Sequence, residues 1–190
     1  MKKGILIVLS GPSGVGKGTI IREVLNSDSN CIFSISATTR KARKGEVDGV
    51  NYHFFSTCEF HKLIPNKQLL EHAVVYGNYY GTMKEKTLEM INKGFDVILE
   101  IDTVGGMNIK KSFNDALTIF LLPPDIEALY QRLKGRGTET QEIIDRRHAC
   151  VESELAAAES YDYQIINNNV SQCANEVINI IKKVKENRIC

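Results

Sequence analysis

The 190-residue chain has no excess of either charge, with 24 Lys and Arg against 23 Asp and Glu. No long-range field therefore draws it as a whole toward nucleic acid or an anionic membrane, and its basic residues have to be judged locally. It has no C-x-x-C pair among its five cysteines, Cys31, Cys58, Cys150, Cys173 and Cys190. An odd number of unpatterned thiols argues against a closed disulfide framework, so reduced thiols and a cytoplasmic location are expected. No apolar run approaches the roughly 20 residues that a membrane helix needs. The first one, residues 5–9, stops at Ser10, and nothing around Met1, Lys2 and Lys3 reads as an export signal. There is no internal repeat and no low-complexity tract, and Lys182, Lys183 and Lys185 read as a solvated helix face. What remains, at 43% hydrophobic content, is enough to bury the core of one compact α/β domain with small insertions.

The strongest positive signal is residues 11–19, GPSGVGKGT, which follow the apolar run Ile5, Leu6, Ile7, Val8, Leu9 and lead into the helical pattern Ile20, Ile21, Val24, Leu25. A buried strand turning through glycines into a helix is the setting of a phosphate-binding loop. Backbone N–H groups of Gly11, Pro12's neighbours Ser13 and Gly14, then Val15, Gly16, Lys17, Gly18 and Thr19 close around a polyphosphate, and the lysine reaches its outer phosphates. Gly18 stands where many such loops carry a Ser or Thr hydroxyl for Mg²⁺, with Thr19 one position late. The metal is thus expected to be held mainly by the nucleotide's phosphates and by water.

Residues 97–101, 117–122 and 163–166 read as buried parallel strands, each flanked by helix-like segments, and the last precedes an amphipathic helix carrying Val177, Ile178, Ile181 and Val184. This alternation specifies a parallel sheet covered on both faces. Residues 33–36 could supply one more strand. The rhythm breaks over residues 40–81, rich in Gly, Tyr, His and charge, which read as a lobe inserted beside the sheet. It breaks again at residues 135–140, GRGTET, a polar segment between two helices of the kind that moves as a lid.

Two clusters bear on the ligand. Arg40 and Arg43, with Tyr52 and Tyr80, have the chemistry to clamp a phosphate: guanidinium forks take its oxygens in pairs and phenols donate to the rest. Alone, such a run would read as a solvated loop; beside a phosphate loop the balance reverses. Glu71 lies in a locally apolar setting, Leu69, Leu70, Glu71, His72. A carboxylate accepts from the adjacent N–H donors on the guanine edge and repels the acceptor that adenine presents there. The competing reading is an exposed helix carboxylate.

Taken together, GPSGVGKGT, residues 36–52 (SATTRKARKGEVDGVNY), residues 77–82 (GNYYGT), residues 100–102 (EID) and GRGTET resemble the guanylate kinases, in the same order and over nearly the whole chain. The resemblance implies an α/β, three-layer P-loop NTPase fold with a parallel central sheet, an inserted GMP-binding lobe and a short mobile lid. It implies a single domain, 1–190, with its core in 1–35, 82–134 and 148–190, the lobe in 36–81 and the lid in 135–147. The implied reaction moves the γ-phosphoryl of ATP, with Mg²⁺, to GMP and also dGMP, in purine nucleotide metabolism and without nucleic-acid or membrane partners, in either a monomer or a homo-oligomer. The family pattern puts the GMP phosphate on Arg40, Arg43, Tyr52 and Tyr80, and the guanine on Ser36, Glu71, Thr82 and Asp102. It puts Arg136 and Arg147 on the transferring phosphoryl and Asn167 and Asn168 beside the adenine of ATP. With Lys17, the two arginines and Arg43 form the implied catalytic set. Thr82, Val104 and Asn168 stand where serine, glutamine and aspartate are frequent, differences that touch base affinity rather than reaction class.

Overall fold

Strand β1 (Leu6–Ser10) is buried along its whole length, as a strand covered on both faces must be. The computed structural model that shows this describes residues 3–135 and 149–188. Helix α1 (Lys17–Ser27) follows, then β2 (Cys31–Phe33), β3 (Ser36–Thr38), β4 (His53–Phe54), α2 (Thr57–Leu63), β5 (Leu69–Val75), β6 (Asn78–Met83), α3 (Lys84–Asn92), β7 (Asp96–Glu100) and α4 (Thr103–Ser112). The chain continues through β8 (Leu117–Leu122), α5 (Ile126–Gly135), α6 (Val151–Ala156), a 3₁₀ turn (Ala157–Ser160), β9 (Tyr163–Ile166) and α7 (Val170–Asn187). The fold is α/β of the P-loop NTPase type. Its five-stranded sheet has the order β2-β7-β1-β8-β9, and a second sheet has the order β4-β3-β6-β5. By contact density the chain separates into two units, Met1–Val8 with Asn30–Ala116 and Leu9–Ser29 with Leu117–Cys190.

In the first unit, β2 and β7 pair in parallel, Cys31 opposite Asp96 and Phe33 opposite Ile98. The buried Asp96 carboxylate ties three segments together, accepting from the Ile5 N–H at 3.1 Å and the Asn30 amide at 2.8 Å. The antiparallel ladder of β3, β6 and β5 is joined by a short parallel strand, β4. Helix α2 starts on a capping box, Ser56 with Glu59, and lays Phe60 and Leu63 on Ala37, with Phe55, Leu69, Tyr79 and Met83 around them. Residues 33–36 are not the one strand their composition suggests. β2 ends at Phe33, and β3 begins at Ser36 in the other sheet, so the segment is the crossing between two sheets, held by the Ser34 N–H on the Ile98 carbonyl at 3.0 Å.

In the second unit, β8 and β9 pair in parallel from Ile119 opposite Tyr163 to Leu122 opposite Ile166. Asp162 locks the start of this pair, accepting from the backbone N–H and the hydroxyl of Thr118 at 2.9 and 2.7 Å. α7 buries a stripe of Cys173, Ala174, Val177, Ile178 and Ile181 at helical spacing and packs against α1, whose buried face is Ile20, Ile21 and Val24. Among the described residues no helix is long and apolar enough to cross a membrane, and no cysteine is in a disulfide.

Candidate active site

The glycine loop lies in the second unit, between β1 and α1. Gly16 is the N-cap of α1 in the left-handed region, φ 103°, where a side chain is strained. A Cβ there would also meet the Asn167 amide nitrogen at 2.8 Å. No side chain caps α1 and no acidic residue stands in its first turn, so the positive end of the helix is presented to an anion. The Lys17 ammonium folds back on the loop, donating to the carbonyls of Gly11 at 2.7 Å and Pro12 at 3.2 Å. Two outside groups hold the loop's shape. The Asn167 amide donates to the Val15 carbonyl at 2.7 Å, and the Ser13 N–H donates to the Glu154 carboxylate on α6 at 3.1 Å.

Asn167 follows β9, tied to Leu122 by its own N–H, and is only 3% exposed. The family pattern sets it beside adenine; here its amide nitrogen serves the loop backbone. Asn168 is exposed, and so is Thr19, while Gly18 offers no hydroxyl. The residues 136–148, which include Arg136, Arg147 and nearly all of the expected lid, lie outside the described residues. Glu154 was not singled out from the sequence, and nothing in its helical context could have marked it.

The residues expected to meet the base lie in the first unit. β3 and β6 pair Ser36 with Thr82 and Thr38 with Tyr80. Glu71 is on strand β5, not on a helix, beside a register shift between Leu69 and His72. Such a bulge re-aims a side chain, and here the carboxylate is turned inward, 8% exposed, to accept from the Thr82 hydroxyl at 2.9 Å. Helix α4 arrives with Asp102 as its N-cap, accepting from the Gly105 N–H at 2.7 Å. A Cβ on Gly105 would stand 2.8 Å from Glu71 Oε2, so a side chain there would have to displace the carboxylate. Gly105 is thus a neighbour of the carboxylate that residue type alone does not reveal. Burial pushes the Glu71 carboxyl up to about 7; the Thr82 hydroxyl opposes the rise and the Asp102 charge adds to it.

Close in sequence and on the same ladder stands a basic and aromatic cluster. The Arg40 guanidinium lies over the Tyr52 ring at 5.2 Å and the Phe54 ring at 5.9 Å. The Tyr52 ring meets Tyr80 edge-on at 6.1 Å between centroids. Burial pushes the Tyr52 hydroxyl up to about 12, so at neutral pH it is a phenol that can donate. Glu46 accepts from Arg40 Nη1 and Nη2 at 3.0 and 2.8 Å and from the Arg43 N–H at 2.7 Å. The Arg43 side chain is exposed.

This arrangement offers a backbone cradle for a polyphosphate and, in the other unit, a buried hydrogen-bond acceptor with a cationic clamp. The sequence matches the family described as Guanylate kinase over residues 3–184. It is similar to the guanylate kinase of Carboxydothermus hydrogenoformans, 45% identical over 191 residues, which cover 100% of this chain and 94% of the relative. It is similar to that of Streptococcus pneumoniae, 48% identical over 181 residues, 95% of this chain and 87% of the relative. Among solved structures, the guanylate kinase of Anaplasma phagocytophilum superimposes with a TM-score of 0.80 at 32% identity, covering 96% of this chain and 86% of that one.

Proposed function

The chain belongs to the guanylate kinase family and is an ATP:GMP phosphotransferase; from that premise we propose how its residues divide the work. Glu71 accepts the guanine N1–H and exocyclic N–H, with Thr82 and Ser36 hydroxyls and the Asp102 carboxylate completing the edge. Arg40, Arg43, Tyr52 and Tyr80 hold the GMP phosphate, and dGMP is accepted through the same contacts. The loop from Gly11 to Thr19 takes the phosphates of ATP, and Lys17 exchanges the Gly11 and Pro12 carbonyls for the outer phosphate oxygens. Asn167 and Asn168 lie toward the adenine, the first of them while bracing the loop.

The acceptor phosphate is already an anion, so the chain needs no general base; alignment and charge neutralisation suffice. Arg43 brings the acceptor oxygen in line, and Arg136 and Arg147 neutralise the charge that spreads over the transferring phosphoryl. The donor would be the magnesium complex of ATP, whose metal would supply further charge neutralisation. Gly18 provides no hydroxyl to it and Thr19 stands exposed, which fits a metal carried mainly by the nucleotide and water. The lobe 36–81 and the lid 135–147 close to exclude water, which would otherwise take the phosphoryl. The protein works in the cytoplasm, in keeping with described cysteines that form no disulfide.

The observation that supports this division best is the buried Glu71–Thr82 pair, 2.9 Å apart, with Asp102 and Gly105 against it. A desolvated carboxylate with donors from Thr82 alone is costly to ionise unless a ligand with paired donors meets it. The test is a coupled assay offering ATP with GMP, AMP, dTMP or UMP. GMP is expected to lead AMP by a factor of about 10⁴ in kcat/KM; comparable rates would overturn the assignment of the base site.

A further inference from the structure

Arg40 is held in a way that selects which edge of its guanidinium can meet an anion. A guanidinium has five N–H donors: two on each Nη and one on Nε. Nη1 donates to the Lys41 carbonyl at 2.8 Å and to Glu46 Oε2 at 3.0 Å, which accounts for both of its hydrogens. Nη2 gives one hydrogen to Glu46 Oε1 at 2.8 Å. The end edge of the fork is therefore occupied by Glu46, which leaves the side edge, Nε–H and the second Nη2–H, to be shared between the Tyr80 hydroxyl, a further partner of the guanidinium, and a phosphate. The plane of the fork is set by its packing over the Tyr52 and Phe54 rings.

The same carboxylate reaches the second arginine. Glu46 Oε2 accepts from the Arg43 N–H at 2.7 Å, and the Glu46 N–H returns to the Arg43 carbonyl at 3.0 Å. One side chain thus orients the guanidinium of Arg40 and closes the turn that carries Arg43. The pair is not a solvated surface contact, with 15% and 17% of the two side chains exposed. Burial by itself lowers the Arg40 pKa, yet Glu46 and Tyr80 together hold it above the ordinary value, so the clamp stays charged. On Glu46 the Arg40 hydrogen bond outweighs burial and keeps the carboxyl below its ordinary range.

We infer that Glu46 is a positioning residue for the monophosphate of the acceptor: it presents the Nε–Nη2 edge of Arg40 and the Arg43 turn in the geometry that a phosphate dianion needs, without touching the substrate itself. The inference rests on the reading that Arg40 meets the GMP phosphate. Removing the carboxylate adds net positive charge to the clamp, so a merely electrostatic view expects tighter phosphate binding. Orientation predicts the reverse, because freed guanidinium and turn must be ordered again each time the ligand binds.

The test measures GMP binding by titration calorimetry and guanosine binding by NMR titration, on the full chain and its Glu46→Gln, Glu46→Ala and Arg40→Ala variants. Glu46→Ala is expected to weaken GMP about tenfold and Glu46→Gln less, with guanosine changed less than twofold in both. Unchanged or tighter GMP binding in Glu46→Ala would overturn the inference, as would equal weakening of GMP and guanosine, which marks a general loss of structure. If Arg40→Ala itself weakens GMP no more than guanosine, the phosphate reading fails first; if Arg40→Ala does and Glu46→Ala does not, that reading stands and the inference falls.

Discussion

The phosphate loop and the site we propose for guanine solve opposite problems. In the loop, the polar groups are already served by the protein: the Lys17 ammonium by two loop carbonyls, Val15 O by Asn167, and Ser13 N–H by Glu154. At the proposed base site, a buried carboxylate accepts from the Thr82 hydroxyl while burial, and then the Asp102 charge, oppose its ionisation. The loop binds what every nucleotide offers and can be assembled from backbone. The proposed base site must refuse the wrong base, and on that reading refusal comes from a side chain whose charge is expensive until the right donors arrive. Generic recognition is thus prepaid in structure, and specific recognition is held as electrostatic tension.

That contrast can be broken at either end. Lys17→Ala should have the largest effect, a loss in kcat of about 10³ or more with the fold retained, because Gly18 has no hydroxyl that could compensate. It should be as severe with dGMP as with GMP. Near-normal turnover in a folded variant would remove Lys17 from the chemistry. Glu71→Gln comes next. The amide keeps the volume but turns one acceptor into a donor facing guanine, so kcat/KM for GMP should drop by roughly 10² while AMP loses less or gains. If discrimination between GMP and AMP survives intact, guanine recognition passes to Ser36, Thr82 and Asp102.

A smaller effect is expected from Asn167→Ala, which removes the amide's hydrogen bond to the Val15 carbonyl and loosens the loop. KM for ATP should rise about tenfold, with GMP-to-AMP discrimination unaltered. A shift in base discrimination would contradict the division of labour between the two regions.

The smallest effect is on stability without ligand. Glu71 is held near 7 when folded against an ordinary value of 4.5, so the folded state retains a proton that the unfolded chain has lost. Its favourable contribution is complete below about pH 4.5 and disappears as the pH rises through 7, an interval worth at most roughly 3 kcal/mol. Glu71→Gln has no charge to bury, so its Tm relative to the parent should climb by several degrees between pH 5 and pH 8. A difference that stays flat over that range would show that the carboxylate is already solvated. Because guanine donors favour the ionised form, guanosine binding by the parent should also weaken below about pH 7.

Much of this was legible in the sequence where local pattern and tertiary role coincide. The strand, glycine turn and helix around Lys17 needed no partner to be recognised, and β8 and β9 announced themselves as short apolar runs. Glu71 is the opposite case. Along β5, Glu71 is buried and Val74 is 60% exposed, so hydrophobic alternation would have turned the strand over. The register shift that places Glu71 inward depends on β6, and the close approach of Gly105 to the carboxylate depends on how α4 meets β5; neither is local. Residues 33–36 failed for the same reason, since which sheet a short apolar segment joins is decided by its neighbours. The placement of Asn167 under the loop arises from the end of the β8–β9 pair, 152 positions from Val15.

The ties of the N-terminal segment carry a consequence for how the chain is made. Ile5 donates to the Asp96 carboxylate across 91 positions, and its carbonyl receives the Val97 N–H. On a ribosome adding about 5–20 residues per second, the first strand therefore waits some 5–20 s for the segment it belongs with. Five apolar residues in succession, Ile5, Leu6, Ile7, Val8 and Leu9, stay unsheltered throughout that interval. The nascent protein is thus most vulnerable to association at this segment, and slowing elongation between residues 30 and 97 should raise the aggregated fraction more than the same pause placed after residue 123.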